Sequence, residues 1–176
     1  MPDSPTLDLI LRLSVAVLLG GIIGLNREFM HKPAGLRTHA LVALGAACAT
    51  SLVTWSPTQE GFAPGFTPGF VHYDALSRVV QGIITGIGFL GAGVIMRGEK
   101  GYTVHGLTTA ASIWLAACLG AACGAGAWLI TACAFVLIMG VLLGGGPLER
   151  WVLGRFDKRV RQERAYAPGT DDPGAD

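Results

Sequence analysis

The stretch LDLILRLSVAVLLGGIIGLN at positions 7–26 decides the class of fold, because it is predominantly apolar and its only charged residues are Asp8 and Arg12. A helix needs about 20 predominantly apolar residues to cross the hydrocarbon core of a membrane. Similar runs return along the chain, and together they predict five spans: Leu7–Asn26, Leu36–Trp55, Leu76–Met96, His105–Gly124 and Gly126–Gly146. The last two spans are separated by no more than a glycine-containing turn.

The composition supports a membrane protein. The chain is 51% hydrophobic and 14% charged, with a mean hydropathy of +0.52, whereas soluble domains average about 25% charged residues. Most of the 26 glycines lie inside apolar runs, where small residues allow helices to approach closely. We therefore predict an all-α transmembrane bundle over residues 1–147, a cytoplasmic basic amphipathic helix over 148–164 and a disordered tail over 165–176.

The basic side chains are unevenly divided between the two sides of a five-span chain. Lys and Arg near the ends of spans are retained on the cytoplasmic side, and this bias sets the orientation. One side carries 11 of the 13 basic residues: Arg27, Lys32, Arg37, Arg97, Lys100, Arg150, Arg155, Lys158, Arg159, Arg161 and Arg164. Only Arg12 and Arg78 fall on the other side. We therefore predict that the N-terminus is outside and the C-terminus is cytoplasmic.

Two segments beyond the spans have a distinct character. The predicted outer loop, Ser56–Asp74, contains GFAPGFTPGF, in which Gly and Pro prevent regular structure and Phe favours the membrane interface. The tail at 148–164 has apolar residues at helical spacing and basic residues on the other face. This pattern is typical of a helix lying on the anionic inner leaflet. No basic region precedes the first apolar run, so we expect no cleavable signal peptide.

Three groups of polar residues are predicted to share one membrane depth on the cytoplasmic side. They end span one, begin span two and begin span four, respectively: Asn26, Arg27 and Glu28; Arg37 and Thr38; Thr108 and Thr109. An ionisable group at the membrane boundary is costly unless it is paired. We therefore predict that Glu28 pairs with Arg27 or Arg37 and that these groups and the two threonines of span four form one buried polar site. The alternative is three unrelated interfacial anchors.

Glycines in span three are predicted to mediate helix packing. They are Gly82, Gly86, Gly88, Gly91 and Gly93, and span four adds Gly120. The segment from Gly86 to Gly91 matches G-x-G-x-x-G, but a nucleotide-binding loop would follow a strand and open a helix, so its place inside a span argues strongly against that function. So many glycines also weaken a helix, and a bent or broken span lining a cavity is the alternative.

The sequence gives no support for catalysis. The four histidines form no pair at metal-ligand spacing, and no Ser/His/Asp set is evident. The four cysteines lie in apolar runs without a C-x-x-C pair, which is typical of small packing residues. We predict a protein that is not an enzyme, with no metal site, no cofactor and no nucleic-acid partner.

Three stretches, GLNRE…PAGLRTHALVALGA, Q…GIGFLGAGVIMRG and GLTTAASIW, together resemble the membrane domain of the MgtC/SapB family, over about residues 7–145. The resemblance implies a multi-pass protein of the bacterial inner membrane. It also implies a link to growth in low magnesium and, in some pathogens, to survival inside host cells and to inhibition of the F-type ATP synthase. No enzyme activity is implied.

The chain departs from the family pattern in ways that bear on virulence. Asn26 stands where the family usually has an acid, and virulence-type members tend to carry Asn in place of Thr108 and Cys in place of Leu115. Many members also have a soluble C-terminal domain, and from its length we expect this chain to hold none. The resemblance and the missing catalytic groups favour a small regulator that acts through a membrane partner, with association into a homodimer or larger homo-oligomer. A transporter or channel for an ion or small solute is the alternative.

Overall fold

A computed structural model describes residues 5–54, 73–97 and 104–146 of the chain. Its elements in chain order are α1 (Pro5–Phe29), α2 (Leu36–Thr54), α3 (Tyr73–Val94), β1 (Met96–Arg97), β2 (Val104–His105), α4 (Leu107–Gly124) and α5 (Trp128–Gly146). Most of the predicted outer loop, the amphipathic helix at 148–164 and the tail at 165–176 lie outside the described residues. Those three assignments stay predictions.

The five helices are long and apolar enough to cross a membrane. This confirms the predicted fold class, and no helix boundary differs from the predicted span by more than three residues. The sequence did not predict the short β-hairpin between α3 and α4, in which Met96 pairs with His105 and Arg97 with Val104. Gly106 follows the hairpin with a φ of 90°, and a Cβ there would strike the carbonyl oxygen of Val94, so only glycine fits.

The core lies where α1, α2 and α4 pack against one another. Small residues make this packing close: a Cβ added at Gly20 would lie 2.6 Å from the carbonyl oxygen of His39, and one added at Gly24 would lie 2.6 Å from that of Gly35. On α4, a Cβ at Gly120 would strike the backbone of Ala43. The three helices therefore meet backbone to backbone, as small residues permit in membrane proteins.

Helix α3 is peripheral by comparison. In its most apolar window 6% of the residues are buried, against 56% for α4. Within the described residues, Gly82, Gly86, Gly88 and Gly93 do not contact another helix, because nothing lies within 4 Å of a Cβ added at any of them. Their predicted role in helix packing therefore stays a prediction. Gly91 alone of the five approaches α4, where its added Cβ would lie 3.5 Å from the Cβ of Ala110.

The chain divides into two compact units, Met1–Ile138 and Met139–Asp176. The first contains α1 to α4 and the first part of α5. The described part of the second, residues 139–146, is the end of α5. The site described next lies entirely within the first unit.

Candidate functional site

A buried arginine lies where the end of α1 meets the start of α4. The Nη2 atom of Arg27 donates a hydrogen bond of 3.3 Å to Oγ1 of Thr109. Arg27 is 4% exposed and Thr109 is 1% exposed. Thr109 is in the first turn of α4, which begins at Leu107. The contact therefore places the C-terminal end of α1 beside the N-terminal end of α4.

The charge of Arg27 is not balanced within the described residues. Its Nε atom is buried and has no hydrogen-bond partner, and the ion pair found in the described ranges joins Arg12 to Asp8 instead. The side-chain oxygen of the preceding residue, Asn26, is likewise buried without a partner. A buried charge with no counter-ion costs several kcal/mol. Arg27 is therefore a buried cation whose hydrogen-bonding groups are mostly unused within the described residues.

A second polar group, His39 on α2, lies deep between α2 and α4. It is 0% exposed. Its Nδ1 lies 2.9 Å from the carbonyl oxygen of Gly35 and its Nε2 lies 3.0 Å from Oγ of Ser112. A carbonyl only accepts hydrogen bonds, so Nδ1 carries a proton. In the neutral ring Nε2 then accepts the proton of the Ser112 hydroxyl.

The hydroxyl of Ser112 has a second acceptor within reach, the carbonyl oxygen of Thr109 at 2.8 Å. One hydroxyl proton cannot serve both acceptors, so the hydroxyl alternates between His39 and Thr109 unless His39 is doubly protonated. Ser112 thus connects the histidine to the residue that Arg27 contacts. We call Arg27, His39, Thr109 and Ser112 the inner polar cluster.

The structure corrects the composition of the predicted site. Glu28 is exposed, and its Oε2 accepts a hydrogen bond of 3.1 Å from the backbone N–H of Leu36 at the start of α2. Within the described residues it pairs with neither Arg27 nor Arg37. A carboxylate at this position caps the helix and interacts favourably with its dipole.

The rotation of residues around each helix explains why other predicted site residues are exposed. Successive residues on a helix are rotated by about 100°, so His39 and Thr109 face inward while Arg37, Thr38 and Thr108 are exposed. Of the predicted set, only Arg27 and Thr109 come together in the interior, and Asn26 is half-buried beside them. His39 and Ser112 were missed as members of the site. The signal that could have found them is a polar residue recurring on the small-residue face of an apolar helix.

Hydrogen bonds also fasten the opposite end of the bundle. Arg12 forms an ion pair of 2.7 Å with Asp8 and donates a hydrogen bond of 3.0 Å to the carbonyl oxygen of Gly124, the last residue of α4. Oγ1 of Thr54 donates to the same carbonyl at 2.9 Å. A cation at a helix C-terminus interacts favourably with the dipole. This cluster is satisfied, unlike the one around Arg27.

Potential metal ligands do not gather in the described part of the chain. Across residues 5–54, 73–97 and 104–146, no three His, Cys, Asp or Glu side chains lie close enough together to hold a metal ion. The chemistry that the inner polar cluster offers is therefore hydrogen bonding and positive charge.

A bundle of apolar, membrane-length helices with a buried arginine at one end defines a polytopic membrane protein. The sequence then identifies the family: the chain belongs to the MgtC family, whose profile matches residues 13–151. This confirms the resemblance seen in the three motifs. No solved structure matches the chain.

The relatives include both short and long proteins. The chain is 39% identical to Protein SrpB of Synechococcus elongatus over 177 residues, covering 96% of this chain and 92% of that protein. It is 43% identical to Protein MgtC of Brucella abortus over 129 residues, covering 73% of this chain and 48% of the relative. The match to Protein MgtC of Salmonella typhimurium is also 43%, over 131 residues, 74% of this chain and 49% of the relative. The chain therefore spans about half the length of the MgtC proteins.

Proposed function

We propose that this MgtC-type membrane protein is a non-catalytic regulator in the bacterial inner membrane that acts by helix-to-helix association with a membrane partner and supports growth when magnesium is scarce. The observation that carries the proposal is the uncovered glycine face of α3. Within the described part of the chain, Gly82, Gly86 and Gly93 have nothing within 4 Å of an added Cβ. These three residues define the α3 glycine face.

The α3 glycine face points away from the rest of the bundle. The side of α3 that is packed carries Ile83 and Ile87, which lie against small buried residues of α2 and α4. The 3.6-residue period places Gly82, Gly86 and Gly93 together on another side, where Phe89 is 83% exposed. Glycines on a membrane helix permit very close approach of another helix. The face is therefore suited to a transmembrane partner.

Two partners have the right chemistry for this face. One is a second copy of the chain, giving a homodimer or larger homo-oligomer. The other is a helix of a different membrane protein, and the family resemblance suggests the F-type ATP synthase. In both cases the remaining apolar surface of the helices faces the lipid bilayer.

The packing argues against the transporter alternative. Helices α1, α2 and α4 meet backbone to backbone at Gly20, Gly24 and Gly120, which leaves no room for a hydrated path among them. Magnesium prefers carboxylate and other oxygen ligands, whereas the charged group buried in this core is Arg27.

Substitution of Gly86 by Leu tests the proposal. Gly86 and Gly45 are both exposed helical glycines with nothing within 4 Å, so both Leu variants should fold and insert normally. We expect Gly86→Leu to abolish complementation of a deletion strain in low-magnesium medium, because the larger side chain separates α3 from its partner. Gly45→Leu, on α2, is the matched control and should complement fully.

Two results would contradict the proposal. Full growth with Gly86→Leu at normal protein levels would show that the α3 glycine face has no partner. Magnesium or solute flux through liposomes containing the purified wild-type chain alone would instead support the transporter alternative. Cross-linking in membranes before and after the Gly86→Leu change then distinguishes a second copy from a different protein.

A further inference from the structure

We propose that Arg27 and the first turn of α4 form a binding site for a phosphate group. The site goes beyond the regulatory role and stands whether or not a protein partner exists. Its ligand is either the phosphate of an anionic lipid headgroup or free inorganic phosphate, which share the same chemistry. The proposal rests on the burial of Arg27, the state of the α4 N-terminus and the charge around both.

The first observation is the unused hydrogen-bonding capacity of Arg27. A guanidinium has five N–H donors in a fixed fork, and within the described residues one of them is used, at the rather long distance of 3.3 Å to Thr109. The Nε–H is buried without a partner. Since an isolated buried charge is strongly unfavourable, an anion at this point would be held by both charge and directed hydrogen bonds.

The second observation is the uncapped start of α4. The first N–H groups of a helix lack intrahelical partners and carry a partial positive charge. The residue before α4 is Gly106, which offers no side-chain cap. At the start of α2, by contrast, the carboxylate of Glu28 accepts from the N–H of Leu36. At the start of α4 the neighbouring side chain is instead the cation Arg27. The helix N-terminus and the guanidinium are both positive, so they do not neutralise each other and both attract an anion.

The surrounding charge favours a ligand with more than one negative oxygen. Lys32 and Arg37 are exposed at the same end of the bundle. Among the described residues at this end, the acid Glu28 is already engaged with α2. Arginine recognises phosphate through two parallel hydrogen bonds, and helix N-termini bind phosphate through their N–H groups. The hydroxyl of Thr109 accepts from Arg27 and has its own proton left to donate to a phosphate oxygen.

The membrane setting supplies one source of this ligand directly. The predicted orientation places this end of the bundle at the cytoplasmic surface, where anionic headgroups attract basic residues. Inorganic phosphate in the cytoplasm is the other source. Arg27 lies two residues before the end of α1, and Glu28 and Phe29, which follow it, are exposed, so the site lies close to the surface at this end of the bundle.

The test uses the full chain purified in a maltoside detergent, which contains no phosphate. The melting temperature is measured as inorganic phosphate replaces chloride at constant ionic strength. A parallel series adds phosphatidylglycerol or, at the same mole fraction, uncharged diacylglycerol. We expect saturable stabilisation by phosphate, by phosphatidylglycerol or by both, since a ligand that binds only the folded state raises its stability. Stabilisation by the lipid alone identifies the headgroup as the source.

Matched arginine variants link the effect to the site. Arg27→Gln should abolish the stabilisation, whereas Arg37→Gln, which removes the same charge from an exposed position at the same end, should leave it unchanged. Arg27→Lys keeps the charge but loses the fork, so its half-saturating phosphate concentration should rise by about tenfold or more, the loss expected for one charge-assisted hydrogen bond. This variant decides the matter if Arg27→Gln fails to fold.

Two outcomes would overturn the proposal. The first is a wild-type chain whose melting temperature responds to neither phosphate nor phosphatidylglycerol beyond the chloride and diacylglycerol controls. The second is an equal response in the wild type and in the Arg27 variants, which would show that the anion acts elsewhere on the surface.

Discussion

At the scale of single residues, His39 connects α2 to α4 inside the membrane-spanning core. Its ring reaches backbone on its own helix and the Ser112 hydroxyl on the other. A buried polar group in an apolar environment needs such partners because an unpaired group loses its hydration without compensation. Ser112 therefore matters for stability as well as for its place between Arg27 and His39.

Replacing Ser112 by alanine should destabilise the protein by about 1–3 kcal/mol, because Nε2 of His39 is then buried without a partner. Ser14→Ala is the matched control, since Ser14 is exposed on α1 and surface changes usually fall within about 0.5 kcal/mol. Reversible unfolding in mixed detergent micelles measures both. Equal stability of the two variants would show that the bond between His39 and Ser112 contributes nothing.

The residues of the site were only partly predictable. Arg27 and Thr109 were in the predicted set because charged and hydroxyl groups at span ends are conspicuous in an apolar sequence. Their proposed companions Glu28 and Arg37 are exposed, because the length of a span does not fix the rotation of a helix about its axis. Ser112, Ala116, Gly120 and Gly124 recur at the four-residue spacing typical of packing residues. The sequence therefore does not distinguish the Ser112 hydroxyl from a small packing residue until α2 is placed opposite it.

At the scale of helices, the ends of α1 and α4 share one hydrogen-bonding motif. After α1, the N–H of Lys32 bonds to the carbonyl of Arg27 at 3.0 Å and that of His31 to Glu28 at 2.9 Å. After α4, the N–H of Ala127 bonds to the carbonyl of Ala122 at 3.0 Å and that of Gly126 to the carbonyl of Cys123 at 2.9 Å. This is the Schellman motif, in which the residue just past the helix adopts a left-handed conformation. His31 has a φ of 54° and Gly126 has a φ of 71°.

Introducing glycine at the left-handed position of one motif and removing it from the other should have opposite effects on the free energy of unfolding. His31→Gly should raise the free energy of unfolding by about 1 kcal/mol, because a left-handed conformation is costly for any residue with a Cβ. Gly126→Ala should lower it by at least a similar amount, since the new Cβ would also lie 3.0 Å from the Arg12 guanidinium. Thermal unfolding in detergent gives the sign of each change. A shift of the same sign in both variants would refute the conformational explanation.

The helices themselves were predictable to within three residues because membrane thickness sets the length of an apolar run. Their packing was not predictable in the same way. Gly86 and Gly120 look alike in the sequence, yet nothing lies within 4 Å of an added Cβ at Gly86, whereas one at Gly120 would strike the backbone of Ala43. Which glycines meet a neighbour depends on the order of the helices around the bundle, and local sequence does not encode that order.

At the scale of the first unit, contacts define two ends. Arg27 with Thr109 brings together the end of α1 and the start of α4, and Glu28 adds the start of α2. Arg12 with Gly124 fastens the other end. The basic side chains Lys32 and Arg37 belong to the first end. The distribution of charge and the observed contacts are consistent with one another, since basic residues predicted to share a side are also brought to one end.

Thiol labelling tests the predicted orientation of these ends. In a background with all four native cysteines replaced by alanine, we place a single cysteine by Lys32→Cys or by Thr58→Cys in the predicted outer loop. A membrane-impermeant maleimide applied to intact spheroplasts should label Thr58→Cys and spare Lys32→Cys, because Lys and Arg near span ends are retained in the cytoplasm. Permeabilised cells provide the control and should label both. If intact cells label Lys32→Cys and spare Thr58→Cys, the orientation is inverted, and Arg27 would then lie at the outer surface, away from cytoplasmic phosphate.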